Sequence, residues 1–243
     1  MSKRIGTPHR VLSVIGPHSN CGKTLLVRHL LAGLESLSCL KISPAEGLDA
    51  DWTDPKTGKE VDFFFEDASR LHRPGKDTAL YLEAGARQVQ RLRHRADGLA
   101  AGLEAAFRRF APDVPVVVES SSAVQFLDPA AIVLVVRLPV REVKPATERV
   151  LHRVTDLLVN GSCHEDVTFS DVGKTGASGT HPTPVIDIPQ SGAPGTLPAP
   201  LADADALRKE FGTLQPLYTW FADLGSGPPP VEMLTRLSGL LST

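Results

Sequence analysis

The run Val11-Leu12-Ser13-Val14-Ile15 leads without a break into Gly16-Pro17-His18-Ser19-Asn20-Cys21-Gly22-Lys23-Thr24. No other stretch narrows the choice of folds so sharply. An apolar, β-branched run of this length reads as a buried strand, and Gly-Pro with polar residues behind it ends the strand in a tight loop. Beyond the loop, Leu26, Leu30, Leu34 and Leu37 recur at helical spacing, so residues 23–37 are expected to form one amphipathic helix. A strand, a glycine-flanked loop and a helix opening on Gly-Lys-Thr let successive backbone N–H groups converge on a polyphosphate, helped by the positive end of the helix. This is the P-loop pattern. Gly16, Asn20, Cys21, Gly22 and Leu25 are then expected to line a nucleotide. Lys23 should reach its β/γ-phosphates and act in catalysis, and the Thr24 hydroxyl should hold Mg²⁺.

The loop departs from the pattern in one respect. Residues 17–21 put five positions between Gly16 and Gly22, one more than usual. Either the loop is longer, or Gly16 makes the turn while Pro17, which lacks an N–H, faces away from phosphate.

The rest of the chain supplies strands and helices in alternation. Residues 38–43 read as a second strand, and strand–helix–strand order predicts a parallel sheet with a right-handed crossover. The expected class is α/β with a P-loop NTPase fold, a mainly parallel sheet with helices on both faces. Residues 44–76 form a long polar passage, broken by the cluster at 61–67, which reads as a short strand or an anchored turn. Asp49 and Asp51 follow the second strand, on the side of a parallel sheet where ligands bind, and are candidate Mg²⁺ ligands. Asp77 or Thr78 is expected to cap a helix running to about Arg95, with Gly85 inside it at a cost of about 1 kcal/mol. Between Arg70 and Arg95 seven Lys/Arg stand against two acids, which suggests an anionic ligand or partner unless it is a solvated basic face. Asp97 reads as the cap of a further helix carrying Leu99, Leu103, Phe107 and Phe110 on one face.

Residues 114–119 form a β-branched run ending in Glu119, the place where a carboxylate would hold Mg²⁺ through water or position an attacking water. Residues 132–136 and 156–161 are expected as strands, with a short helix at 145–154 between them. Asn160, at a strand end, is a candidate for contact with the nucleotide base. Gly161 stands where the usual guanine-reading signature has Lys.

A length of 243 residues with 42% hydrophobic composition fits one large domain with a modest appendage. Residues 1–161 are expected to be the nucleotide-binding core. Residues 162–243 form a Gly/Pro-rich extension packed on it, with a strand at 184–189 and two short helices around the Gly/Pro run at 225–230. A net charge of −2 gives no argument for nucleic acid or an acidic membrane. The three cysteines, Cys21, Cys39 and Cys163, lack paired spacing, which suits a reducing cytosol. Cys163-His164 beside Glu165 and Asp166 lacks the second spaced pair of a zinc site. With no signal-type segment and no apolar run of membrane length, a cytoplasmic protein is expected.

Several of these residues together resemble one family. Gly22-Lys23-Thr24 after the first strand, Leu40-Lys41 ending the second, Gly75-Lys76-Asp77-Thr78 with Tyr81 and Ala84-Gly85-Ala86, and Val116-Val117-Val118-Glu119 look like MobB. That family comprises P-loop proteins of molybdopterin-guanine dinucleotide biosynthesis, and the likeness covers roughly residues 11–137. The resemblance implies GTP binding with slow hydrolysis, a homodimer, an anionic pterin-type cofactor, and a partner enzyme of cofactor biosynthesis or a metalloenzyme. It also implies that Lys76 and Asp77 lie near the nucleotide or cofactor, with Glu119 near the metal. This chain differs in Ile42-Ser43, where the family tends to have His and Asp, and in Ser120, where it usually has Gly. Two other readings share the same loop: a small-molecule kinase, using ATP or GTP, and a binding adaptor with a residual nucleotide site.

Overall fold

The computed structural model describes residues 4–7, 9–44, 53, 60–137, 142–161 and 216–242. Asp49, Asp51, Cys163, His164 and the expected strand at 184–189 lie outside them. Among the described residues the strands are β1 (Val11–Ile15), β2 (Ser38–Pro44), β3 (Phe63–Phe65), β4 (Val89–His94), β5 (Val116–Glu119), β6 (Ala131–Val136), β7 (Asp156–Asn160) and β8 (Tyr218–Ala222). They form one sheet in the order β3-β4-β2-β5-β1-β6-β7-β8. Every neighbouring pair is parallel except β3–β4, which is antiparallel at the edge. The α/β, mainly parallel architecture expected from the sequence is therefore present. β1, β6 and β7 are buried along their whole length. That is what a central parallel strand covered on both faces requires, and why they read as continuous apolar runs.

Among the described residues six helices flank the sheet: α1 (Lys23–Gly33), α2 (Ala68–Leu71), α3 (Asp77–Glu83), α4 (Leu99–Phe107), α5 (Pro145–Glu148) and α6 (Val231–Ser242). On one face Leu26, Val27 and Leu30 of α1, Tyr81 of α3, and Met233 and Leu237 of α6 pack with Leu12, Val14, Val117 and Val133. On the other, Leu99, Leu103, Ala106 and Phe107 of α4 pack with Val11, Leu40, Leu92 and Val116.

The sequence expectation needs correcting in five places. First, the helix beginning at Asp77 stops at Glu83 instead of continuing to Arg95. Second, Gly85 is not inside a helix. At φ 95° it is the left-handed residue that ends one, with Gly85 N–H bonded to Leu82 O (3.0 Å) and Ala86 N–H to Tyr81 O (3.1 Å). Those are the two bonds of a Schellman stop, where glycine escapes the Cβ penalty. Strand β4 then takes over, its alternation carried by Val89, Arg91 and Arg93 against Gln90, Leu92 and His94. The basic run is thus part strand, and not one helical face. Third, α1 ends at Gly33 rather than Leu37. Fourth, α4 is capped at Gly98, with Asp97 one residue earlier in a 3₁₀ turn; a side chain at 98 would sit 2.1 Å from Asp62 O. Fifth, the expected short helix at 145–154 is one turn, α5, followed by a 3₁₀ turn. Directly before the Gly/Pro run at 225–230 stands strand β8, pairing along β7, so the described part of the extension extends the main sheet. Residues 203–215, where the first of the two short helices is expected, lie outside the described residues.

β2 does not lie beside β1. β5 runs between them, with Val14 opposite Glu119 and Glu119 opposite Lys41. This register decides the chemistry of the site.

Candidate functional site

The loop after β1 folds back over its own first residue. A Cβ on Gly16 would lie 2.4 Å from Cys21 Sγ and 3.1 Å from Lys23 Cδ, so only glycine fits beneath the loop. Gly16 is therefore the close-approach residue, and the loop carries one residue more than the usual pattern. Pro17 is buried, its carbonyl accepting the Lys144 N–H at 2.9 Å, while the Thr147 hydroxyl donates to Gly16 O at 2.8 Å. Asn20 (φ 63°) and Gly22 (φ 107°) take left-handed conformations that turn the chain into α1. Gly22 is constrained twice, since a Cβ there would also meet the Asn160 amide at 2.2 Å.

Ser19, Asn20, Gly22, Lys23, Thr24 and Leu25 line a cleft of about 550 Å³ together with Lys41, Asp77 and Glu119. That volume suits a small-molecule ligand. The first residues of α1, Lys23, Thr24 and Leu25, line it, and a helix start has no acceptors of its own for its first N–H groups. α1 carries no acidic residue in its first turn. Lys23 Nζ donates to His18 O at 2.7 Å and lies 3.4 Å from Cys21 Sγ, so the loop's own carbonyl satisfies it.

The far wall is a polar cluster on the α1 face of the sheet. Lys41 Nζ donates to Glu119 Oε2 at 3.0 Å and also to Asp77 Oδ2. The Tyr81 hydroxyl donates to the same Glu119 oxygen and is hydrogen-bonded to the Thr24 side chain. The Lys41 and Glu119 side chains are 11% and 7% exposed, whereas that of Asp77 is 40% exposed. Burial by itself would depress the Lys41 ammonium, but the Glu119 and Asp77 carboxylates outweigh it and raise its pKa. The Cys39 thiol is pushed well up, chiefly by burial and then by Glu119.

The Tyr81 phenol is held far above its ordinary range, first by burial and then by the neighbouring Glu119 charge. Only the neutral phenol suits this position. Its contribution to stability is therefore whole below the unfolded value of about 10 and is lost as the pH rises beyond it. The raised Lys41 value acts in the same direction. Tyr81→Phe is expected to cost about 1 kcal/mol near neutrality. It should also flatten the fall in stability between about pH 9 and about pH 11. Urea unfolding midpoints of both proteins across that range check this, and parallel slopes would refute it.

Of the residues expected from the sequence, the cleft brings together Asn20, Gly22, Lys23, Thr24, Leu25, Asp77 and Glu119, with Gly16 and Cys21 beneath the loop. Lys76 is exposed at the cap of α3 and does not line the cleft. Asn160 is engaged at both ends: Nδ2 donates to Cys21 O (3.1 Å) and Oδ1 accepts the Leu224 N–H (3.0 Å). It ties the loop to the segment after β8. Sequence reasoning left Lys41 and Tyr81 without site roles. A signal existed for Lys41, a charge inside the buried stretch Cys39-Leu40-Lys41-Ile42, which must find a partner.

Among the described residues no group of three or more His, Cys, Asp or Glu is placed to hold a metal. Among them, too, no helix is long and apolar enough to cross a membrane. Comparison with protein-family models, with curated proteins and with solved structures found no match to this chain.

Proposed function

We propose that this chain is a P-loop protein that binds a magnesium nucleoside triphosphate in the cleft and hydrolyses it slowly. We assign it, as a MobB-like protein with GTP as the expected nucleotide, to molybdenum-cofactor or related metallocofactor biosynthesis or delivery. GTP and the metallocofactor role rest on the resemblance, and the nucleotide site rests on one observation. The open start of α1, with Lys23 and Thr24, faces the carboxylate of Glu119 at the end of the adjacent strand β5. Backbone N–H groups and the helix dipole favour phosphate at that start, and Lys23 can exchange the His18 carbonyl for phosphate oxygens. Positioning and charge neutralisation are the main contributions a protein makes to phosphoryl transfer.

Magnesium fits this donor set as the companion of a polyphosphate. Thr24 offers a hydroxyl, and Glu119, already held by Lys41 and Tyr81, is suited to act through water. The ion would neutralise charge on the phosphates. Glu119 would orient the attacking water, and Tyr81 would fix the direction of the carboxylate. A partner enzyme, a pterin-type ligand and a homodimer belong to the same proposal and rest on the resemblance alone.

Calorimetric titration of Mg-GTP and Mg-ATP into the wild type and Lys23→Ala tests the reading. Micromolar GTP binding, weakened about ten- to hundredfold in the variant, is expected, the loss of a charge-assisted contact. A preference for ATP with turnover dependent on an acceptor would favour a small-molecule kinase. Binding of neither nucleotide would overturn the proposal.

A further inference from the structure

Lys23 is the positive charge that the phosphate-loop pattern brings to the cleft, and Lys41 is another that the pattern does not call on. Its setting is unusual for a structural lysine. It lies between two carboxylates, so the three side chains together carry one net negative charge at the edge of a cleft whose other wall attracts anions. The carboxylates are unequal. Glu119 is almost fully buried and also holds Tyr81, so Lys41 cannot leave it without stranding a buried charge. Asp77 is 40% exposed, and water can replace Lys41 there at little cost. The lysine is anchored on one side and exchangeable on the other.

We propose that Lys41 is a second phosphate-binding group, reading the terminal phosphate and so setting a preference for nucleoside triphosphate over diphosphate. This rests on the nucleotide reading above. The topology supplies the argument for the terminal position. β2 is separated from β1 by β5, so Lys41 stands beyond Glu119 as seen from the loop. Two phosphates are accommodated by the loop and the start of α1, and a third extends the anion toward β2. Lys41 then exchanges Asp77 for a phosphate oxygen while Glu119 keeps its stem in place, a movement that the flexible four-carbon side chain permits. No covalent step is involved.

The test is calorimetric titration of Mg-GTP against Mg-GDP, and Mg-ATP against Mg-ADP, into the wild type, Lys41→Gln, Lys41→Arg and Asp77→Asn. Lys41→Gln is expected to weaken triphosphate binding about ten- to hundredfold and diphosphate binding less than about threefold. Lys41→Arg should retain most of the discrimination. Asp77→Asn should tighten triphosphate binding about three- to tenfold by releasing Lys41 from its competing acceptor. Because Asp77 is half-exposed, this variant carries the test even if Lys41→Gln fails to fold. Equal weakening of both nucleotides in Lys41→Gln, or weaker triphosphate binding in Asp77→Asn, would overturn the inference and leave the nucleotide site standing. Wild type that binds no nucleotide would instead overturn the site itself, and this inference with it.

Discussion

Glu119→Ala is expected to lower folding stability by about 3 kcal/mol, the lower end of what breaking a buried ion pair costs. Removing the carboxylate leaves the Lys41 ammonium, 11% exposed, with Asp77 as its remaining carboxylate. It also removes the carboxylate acceptor of the buried Tyr81 hydroxyl, which keeps only its hydrogen bond with the Thr24 side chain. Losing the bond to Glu119 costs about 1 kcal/mol. Two effects hold the total down: Asp77 still neutralises Lys41, and the cleft lets water reach the space that Glu119 vacates. Glu119→Gln keeps an acceptor for Tyr81 and loses only the charge, so a loss of about 1–2 kcal/mol is expected. That milder variant should slow nucleotide hydrolysis more than it weakens nucleotide binding. Urea denaturation of the three proteins at neutral pH decides the first point. Glu119→Ala within about 0.5 kcal/mol of the wild type would mean that the Lys41–Glu119–Tyr81 cluster is not formed in solution.

The importance of Glu119 could be read from the sequence, but the identity of its partners could not. Residues 116–119 are β-branched and end in an acid, and local pattern is enough to place that acid at a strand's carboxyl end. Lys41 meets Glu119 because β5 inserts between β1 and β2, a long-range pairing that no window of sequence encodes. Tyr81 reaches it from α3, on the face that α1 also covers. The same limit applies to residues 84–95. Gly85 reads from local sequence as a glycine inside a helix, and two backbone hydrogen bonds make it a helix stop. Beyond it, Arg91 and Arg93 occupy strand positions where apolar residues usually show the two-residue alternation. Arg91 is tolerated there because Glu66, just past the edge strand β3, pairs with it at 3.4 Å. A strand disguised by arginines is hard to see until its partner is known. β1, the loop and the start of α1 needed no such partner. Their order, length and glycine positions are local, and they appear where the sequence puts them.

Arg236→Ala is expected to cost about 3–5 kcal/mol and to loosen the C-terminal unit selectively. Asp156 at the start of β7 is fully buried and accepts from Arg236 Nε (3.0 Å) and Nη2 (3.3 Å), Trp220 Nε1 (3.0 Å) and the Thr155 hydroxyl (2.7 Å). Without the guanidinium, a buried carboxylate keeps only neutral donors. Arg236 also lies over the Tyr218 ring at 3.7 Å, a contact worth about 0.5–1 kcal/mol. Asp156→Asn should cost less, because the Arg236 side chain, 20% exposed, can redirect its charge to water. The double variant Asp156→Leu with Arg236→Met should recover part of the loss, since a buried ion pair is often replaceable by apolar side chains. Besides the β7–β8 ladder and the core packing of Met233 and Leu237, α6 and β8 are held by this pair and by Leu224, whose N–H bonds Asn160 and whose carbonyl lies 3.0 Å from His29 Nε2. Amide exchange in Arg236→Ala should therefore accelerate across Val231–Ser242 and at Leu224, while β1, β5 and β6 keep their protection. Uniform acceleration throughout the sheet would show instead that β8 and α6 belong to the same cooperative unit as the central strands, and that Asp156–Arg236 is one contact of a single core.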